Sequence, residues 1–372
     1  MRIISYCEKT KDLTFNELPI NEIDMAVLAQ LVYLDFVKIA PHIIESNEGK
    51  TLSLKDIDIS KESLDNLCDK SLVDKNMKKL LPFIVKSKRF NEIKISHHID
   101  LLIKEMHNQF AALTYILPDN RIIIAFRGTD RTLTGWKEDV LMSYSSDVYA
   151  IRQGVRYAAM ILKFYPDHPF YLIGHSKGGA IVSKVASTLN ENQITRLINA
   201  YDFEGPGVNL KDTNYALIKD KLHKYVAHRS VVGLLFNEIP KFAIIAGYGP
   251  GGHDLFRWDI DYKRKIIKRK KRLTKFAIIN NYAFNMWYHD LTTNQLLSYI
   301  KNIIEVLDDE DVYSLIRGLR AKLKYRIKNK SRSNPEKRKA LWKAVKAYLS
   351  WYLFAIFNYR TLRLKDLYSQ EK

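Results

Sequence analysis

Gly174-His175-Ser176-Lys177-Gly178-Gly179 breaks an otherwise apolar run, FYLIGHSKGGAIV at 170–182. A serine framed by glycines as GxSxG suits a nucleophile lifted above a sheet edge on a sharp strand-to-helix turn, and 170–190 reads as strand, turn and helix in that order. Glycines at 174 and 178 let the strand and helix converge where side chains would collide. The plainer reading is a packing serine in a glycine-rich corner. What separates the two is whether the other parts of an acyl-transfer site are present.

A nucleophilic serine needs amide donors for the developing oxyanion. One is the N–H of Lys177, directly after the nucleophile. The second is expected from a loop following an earlier strand, and AFRGTD at 125–130 ends such a strand. Gly128 permits close approach there, and Thr129 offers an amide or a hydroxyl, against the simpler role of capping something local. For the base, the expected chain order is serine, acid, histidine. His253, in GPGGHDLFRW, is the best of ten histidines because a glycine-rich loop after the last parallel strand can reach back over the sheet edge. His228, at a strand end, is the reserve, and His175 is expected to point away from the serine. This chemistry needs no metal or organic cofactor.

The elements needed to hold these groups are legible. FAALTYIL, a Pro118-Asp119-Asn120 turn and RIIIAFRGTD read as a β-hairpin. GWKEDVLMSY and VYAIRQGVRYAAMILKFY are helical in period, FYLIGH is a buried strand, and RLINAYDFE, KLHKYVAH and KFAIIAG read as further strands. Alternating strands and helices, with several strands apolar throughout, predict a mainly parallel sheet covered on both faces, with ligands at the carboxyl ends of its strands. Residues 1–109 read as a helical segment packed on this core, with MAVLAQLVYLDFVKIA as one helix and DNLCDKSLVDKNMKKLLPF as another ending near Pro82. The core is expected over 110–290 and a basic helical extension over 291–372, with SRSNP at 331–335 as a linker.

IIIAFRGTD, GWKEDV and YLIGHSKGG, in that order, resemble class 3 lipases of the α/β-hydrolase superfamily. NEIDMAVLAQLVYLDF, FEGPG, SVVGLL and GGHDLFRW make the chain more similar still to the Mbeg-like family of bacterial lipase-like proteins, over roughly residues 12–305. The resemblance implies an α/β-hydrolase fold, Ser176 as nucleophile, His253 at the position of the lipase histidine, and an oxyanion donor from FRGT. The acid departs from the pattern: RSVVGLLF matches the segment that carries the lipase Asp, and Ser230 stands in its place. Without a carboxylate the imidazole loses the anchor of its tautomer. One strand earlier, RLINAYDFEGPG ends in Glu204, and some lipases of similar architecture carry their acid there. Glu204 is therefore the expected third member, against a plain exposed or ion-paired carboxylate. Asp202 and Glu238 are fallbacks, as is a Ser–His dyad.

Composition sets the limits. Apolar residues make up 47% of 372, which argues against disorder. Cys7 and Cys68 are too few for a disulfide framework or a zinc site. The amino terminus lacks a secretory apolar core and no run reaches about 18 apolar residues, so a cytoplasmic protein, able to lie peripherally on a membrane, is expected. The net charge of +19 is concentrated: 311–372 holds 17 Lys/Arg against 4 Asp/Glu, and 262–275 holds 9 basic residues and no acid. That asymmetry calls for an anionic partner. In LWKAVKAYLSWYLFAIFNYR, Trp342, Tyr348, Trp351, Tyr352, Phe354 and Phe357 with flanking Lys343, Lys346 and Arg360 suit a headgroup zone, or else a core helix with a solvated basic face. Nucleic acid ranks lower, since no recognition-helix or RNP pattern is present. The leading expectation is a serine ester hydrolase acting on a lipid ester, at an anionic membrane surface; the alternative is an inactive hydrolase fold serving as a membrane or nucleic-acid scaffold, favoured by Ser230.

Overall fold

The computed structural model describes residues 1–39, 50–68, 74–130, 132–142, 145, 148–210, 213–236, 239, 241–249, 252–309 and 335–358. The helices are α1 (Ile3–Thr10), α2 (Glu22–Leu31), α3 (Phe36–Ile39), α4 (Lys61–Leu67), α5 (Asp74–Lys86), α6 (Leu133–Met142), α7 (Tyr149–Phe164), α8 (Lys177–Thr188), α9 (Glu191–Arg196), α10 (Tyr215–Ile218), α11 (Lys275–His289), α12 (Thr293–Asp309) and α13 (Pro335–Asn358). The strands are β1 (Leu52–Ser53), β2 (Lys94–Ile103), β3 (Asn108–Ile116), β4 (Ile122–Phe126), β5 (Phe170–His175), β6 (Leu197–Phe203), β7 (Leu222–Ala227), β8 (Ala243–Ile245), β9 (Ile260–Asp261) and β10 (Ile266–Ile267). β9 and β10 form a small separate ribbon.

β1 to β8 make one sheet in which spatial order follows chain order. The pairings from β1 to β4 are antiparallel, and those from β4 to β8 are all parallel. This order explains the amino-terminal segment. Right-handed crossovers between successive neighbours put every connecting helix on the same face. α7 and α8 accordingly pack with Ile122, Ile124, Phe170 and Leu172 in one core. The opposite face, with Ile123, Ile173, Tyr201 and Tyr225, would be bare; residues of α1, α2 and α5 cover it in a second core. Each isoleucine or leucine so buried contributes about 1.5–3 kcal/mol over exposure. Buried Arg89 fastens this layer by donating to Asp24 through Nε (2.8 Å) and Nη2 (2.5 Å). Tyr115 Oη also donates to the carbonyl of Leu28 across the layers at 2.8 Å.

Three readings are corrected. Residues 94–103, inside the segment expected to be helical, form the sheet strand β2, so the sheet begins before residue 110. A bulge between Ser96 and Ile99, with His97 at φ +51°, breaks the alternation by which the strand would have been recognised. Pro82 lies within α5 and does not end it. MAVLAQLVYLDFVKIA is divided between α2 and α3 by a turn at Val32–Asp35. Residues 331–334 of the linker, and the stretch VYSLIRGLRAKLKYRIKNK, fall outside the described residues.

Register brings the functional loops together. Phe126 pairs with Gly174, His175 with Phe203, and Phe203 with Tyr225, so β4, β5, β6 and β7 end near a common edge. The segments leaving that edge begin at Arg127, Ser176 and Glu204. α12 packs on α6, and α13 packs on both α11 and α12.

Candidate active site

Ser176 is the single residue between β5 and α8, at φ +59° and ψ −130°. A non-glycine residue held there is strained by about 1–3 kcal/mol, which the surrounding packing must offset. A Cβ at Gly174 would overlap the carbonyl of Gly178, the close approach that the glycine spacing implied. Although Ser176 occupies the N-cap position of α8, its side chain makes no capping bond. Its hydroxyl is thus not consumed by the commonest structural use of a helix-initiating serine.

The loop after β4 lies directly against this turn. A Cβ on Gly128 would sit 2.5 Å from the His175 carbonyl and 3.0 Å from Ser176 Cβ, so only glycine lets the two loops meet. Thr129 follows, buried, and its hydroxyl donates to both oxygens of Asp139 on α6, at 2.8 and 2.7 Å. The Thr129 hydroxyl hydrogen is thus turned to Asp139, so an oxyanion-donor role for this residue would fall to its amide. The Lys177 amide begins α8 on the other side. The Lys177 side chain turns inward: Nζ donates to Glu138 Oε2 at 2.7 Å and to Gln109 Oε1 at 2.8 Å, and lies 4.0 Å from Asp139. The ammonium therefore ties α8 to α6 and β3. Burial pushes the Asp139 carboxyl up to about 6, against the opposing pull of Lys177 and the Thr129 hydroxyl.

Glu204 is fully buried at the end of β6, at φ +61°. Its Oε1 accepts from the Ala227 amide at 2.5 Å. Its Oε2 accepts from the Ser230 hydroxyl at 3.0 Å and the Gly233 amide at 3.4 Å, and faces His253 Nδ1 at 3.3 Å. A carboxylate facing Nδ1 fixes the proton there and leaves Nε2 as the lone-pair nitrogen, the tautomer a general base requires. Ser230 thus donates to the same carboxylate oxygen that faces His253. Asp202 is occupied elsewhere, accepting from Lys224 (2.9 Å), Ser183 (2.8 Å) and the Gly205 amide (2.8 Å). Glu238 lies outside the described residues.

Residues 84–305 match the family model Mbeg1-like. The chain belongs to the Mbeg1-like family. The matched stretch runs from the end of α5 into α12 and includes Thr129, Ser176, Lys177, Glu204 and His253. No curated protein and no solved structure matches the chain.

Within this family member the site holds residues that the sequence alone did not assign. His175 does more than point away from the serine: its Nε2 meets the His253 carbonyl at 2.9 Å and its Nδ1 meets Tyr33 Oη at 3.1 Å. Nε2 must donate to a carbonyl, so Nδ1 accepts from the phenol. Burial, and secondarily the neighbouring His253, holds this imidazole well below the ordinary histidine range, hence neutral. His175 and Tyr33 thereby anchor the loop that carries His253. Tyr33 lies 142 residues from His175, and no local signal links them. Asp139 and Glu138 were visible only as part of GWKED, with no role attached. His228 contacts the Ile245 carbonyl and Tyr248. Ser176 and His253 are partly exposed, whereas Glu204, Thr129 and Lys177 are buried.

Proposed function

We propose that the chain is a serine ester hydrolase with an α/β-hydrolase core, acting on an acyl ester, and on the lipase resemblance a lipid ester, through an acyl-enzyme. Ser176 Oγ attacks the ester carbonyl carbon while His253 Nε2 takes the hydroxyl proton. The carbonyl π electrons move to oxygen, and the oxyanion is held by the Thr129 and Lys177 amides, each worth about 2.7–4 kcal/mol in such sites. The C–O bond to the alcohol then breaks, and the alcohol leaves with the proton from His253. Water, deprotonated by the same nitrogen, attacks the acyl-serine and releases the acid, restoring Ser176. Glu204 holds the Nδ1 proton and stabilises the imidazolium throughout.

The observation that carries this reading is the pairing of His253 Nδ1 with the buried Glu204 carboxylate, on the same sheet edge as an uncapped serine at positive φ. Ser230 was the feature favouring an inactive scaffold; as a donor to Glu204 it supports the hydrolase instead. The test is hydrolysis of p-nitrophenyl acyl esters of graded chain length. Turnover by the wild type with a burst of p-nitrophenol, absent from Ser176→Ala, is expected; equal rates for the two proteins would overturn the assignment.

A further inference from the structure

α13 is apolar over a wide arc, and the described residues cover one part of it. At about 100° per residue, Tyr348, Trp351, Tyr352 and Ala355 share a side. On it, Tyr348 Oη donates to Asn280 Oδ1 at 2.8 Å, Trp351 Nε1 donates to Asp290 Oδ2 at 2.7 Å, and Ala355 is fully buried. These aromatic residues, for which the sequence left both a headgroup zone and core packing open, face α11 and the turn after it. The outward flank holds Val345, Leu349, Leu353 and Ile356, with Phe357 beside them at 83% exposure. They span about a third of the circumference, with Lys346 among them and Lys343 at the border, both exposed.

The apolar arc of α13 thus extends well beyond the side that the described residues cover, the pattern of a helix with a second partner. We infer that the Val345–Leu349–Leu353–Ile356–Phe357 flank of α13 docks on an anionic lipid bilayer, lying in its interfacial plane. Charge complementarity selects this occupant. The segment 311–372 carries 17 basic and 4 acidic residues, so a second copy would bring like charge against like. Nucleic acid would use the lysines and leave the apolar flank bare. An aliphatic stripe with an aromatic end and flanking lysines is the pattern of a helix that lies on a charged membrane. Among the described residues no helix is long and apolar enough to cross one.

The position of the helix matters to the site. α13 rides on α11 and α12; α12 packs on α6, which carries Asp139. Phe284 and Tyr288 of α11 pack on Phe236, in the loop that also supplies Ser230 and Gly233. The docking flank is thus joined through one helical layer to two of the loops that build the site. Docking itself does not depend on catalysis.

Its test is co-sedimentation of the full chain with vesicles of phosphatidylcholine alone or mixed with phosphatidylglycerol. Binding to mixed vesicles and little to neutral ones is expected. Leu353→Glu/Phe357→Glu should lower partitioning by about ten-fold or more, the loss given by two half-inserted apolar side chains. Lys343→Gln and Lys346→Gln should each lower it about five-fold. Phe357→Ser alone, at a position too exposed to disturb packing, should also weaken binding. No binding, equal binding to neutral vesicles, or binding indifferent to the Leu353 and Phe357 substitutions would overturn the inference. So would a dimer in solution that the same substitutions dissociate, or binding to nucleic acid that they leave intact.

Discussion

Replacing Glu204 by Gln changes one oxygen to an amide nitrogen, and the surrounding geometry sets the cost. Oε1 is committed to the Ala227 amide at 2.5 Å, while Oε2 faces the Ser230 hydroxyl, the Gly233 amide and His253 Nδ1. If the Gln oxygen keeps the Ala227 contact, its NH2 faces His253. Ser230 can rotate to accept, but the imidazole must then present Nδ1 as acceptor and carry its proton on Nε2. That tautomer cannot take the Ser176 proton, and the comparable change in a serine-protease triad costs about four orders of magnitude in turnover. The reverse orientation sets NH2 against the Ala227 N–H inside a fully buried site, and an unpaired buried donor costs about 1–3 kcal/mol. Glu204→Gln should therefore lose about 10⁴-fold in the rate of reaction with an activated ester and melt below the wild type. Asp202→Asn, which breaks a pair with Lys224 remote from the imidazole, should lose stability and keep most of the rate per folded molecule. Pre-steady-state release of p-nitrophenol, normalised to folded protein by circular dichroism, measures both. A Glu204→Gln rate within a few-fold of wild type, or the greater loss in Asp202→Asn, would refute the assignment of the acid.

Other substitutions probe the surroundings of the triad. Ser230→Ala removes a hydroxyl donor from the Glu204 carboxylate and should destabilise the fold by about 1.5–3 kcal/mol in denaturant titration, with a far smaller rate loss than Glu204→Gln. Lys177→Met leaves Glu138 buried without its cation at 2.7 Å and should cost about 3–5 kcal/mol, read by the same titration. For Asp139 the sign comes from a carboxyl raised to about 6 by burial. The folded state disfavours its ionisation, so the associated stability is complete below about pH 4 and lost as pH rises through the raised value. The melting temperature of Asp139→Asn relative to wild type should therefore climb between those limits and then level off. A constant difference across that range would contradict it.

What was legible in the sequence was whatever local sterics dictate. The GHSKGG turn needs glycines where strand and helix nearly touch, and Gly174 against Gly178 shows that contact. Glu204 could be placed at the correct edge because a strand end is a local property. Its pairing with His253 was expected only through the lipase resemblance, because the meeting of two loops has no signature in spacing. Ser230 illustrates the limit: along the chain it stands where the lipase pattern has an Asp, and in space it donates to Glu204. Tyr33 and His175 meet across the two layers of the fold, so their support of the His253 loop had no signature in either segment. β2 escaped because a bulge at two consecutive histidines interrupts its period. On α13 the sequence gathered aromatic residues and lysines without saying which side would be covered, and only packing shows which side the described residues cover.

The central claim is that Ser176 is an activated nucleophile. Intact-mass spectrometry after exposure to a fluorophosphonate tests it most directly, because covalent capture needs no knowledge of the substrate. One phosphonyl adduct per wild-type chain, mapped to the peptide carrying Ser176 and absent from Ser176→Ala, is the predicted result. A folded wild type that remains unlabelled, or an adduct on another residue, would contradict it.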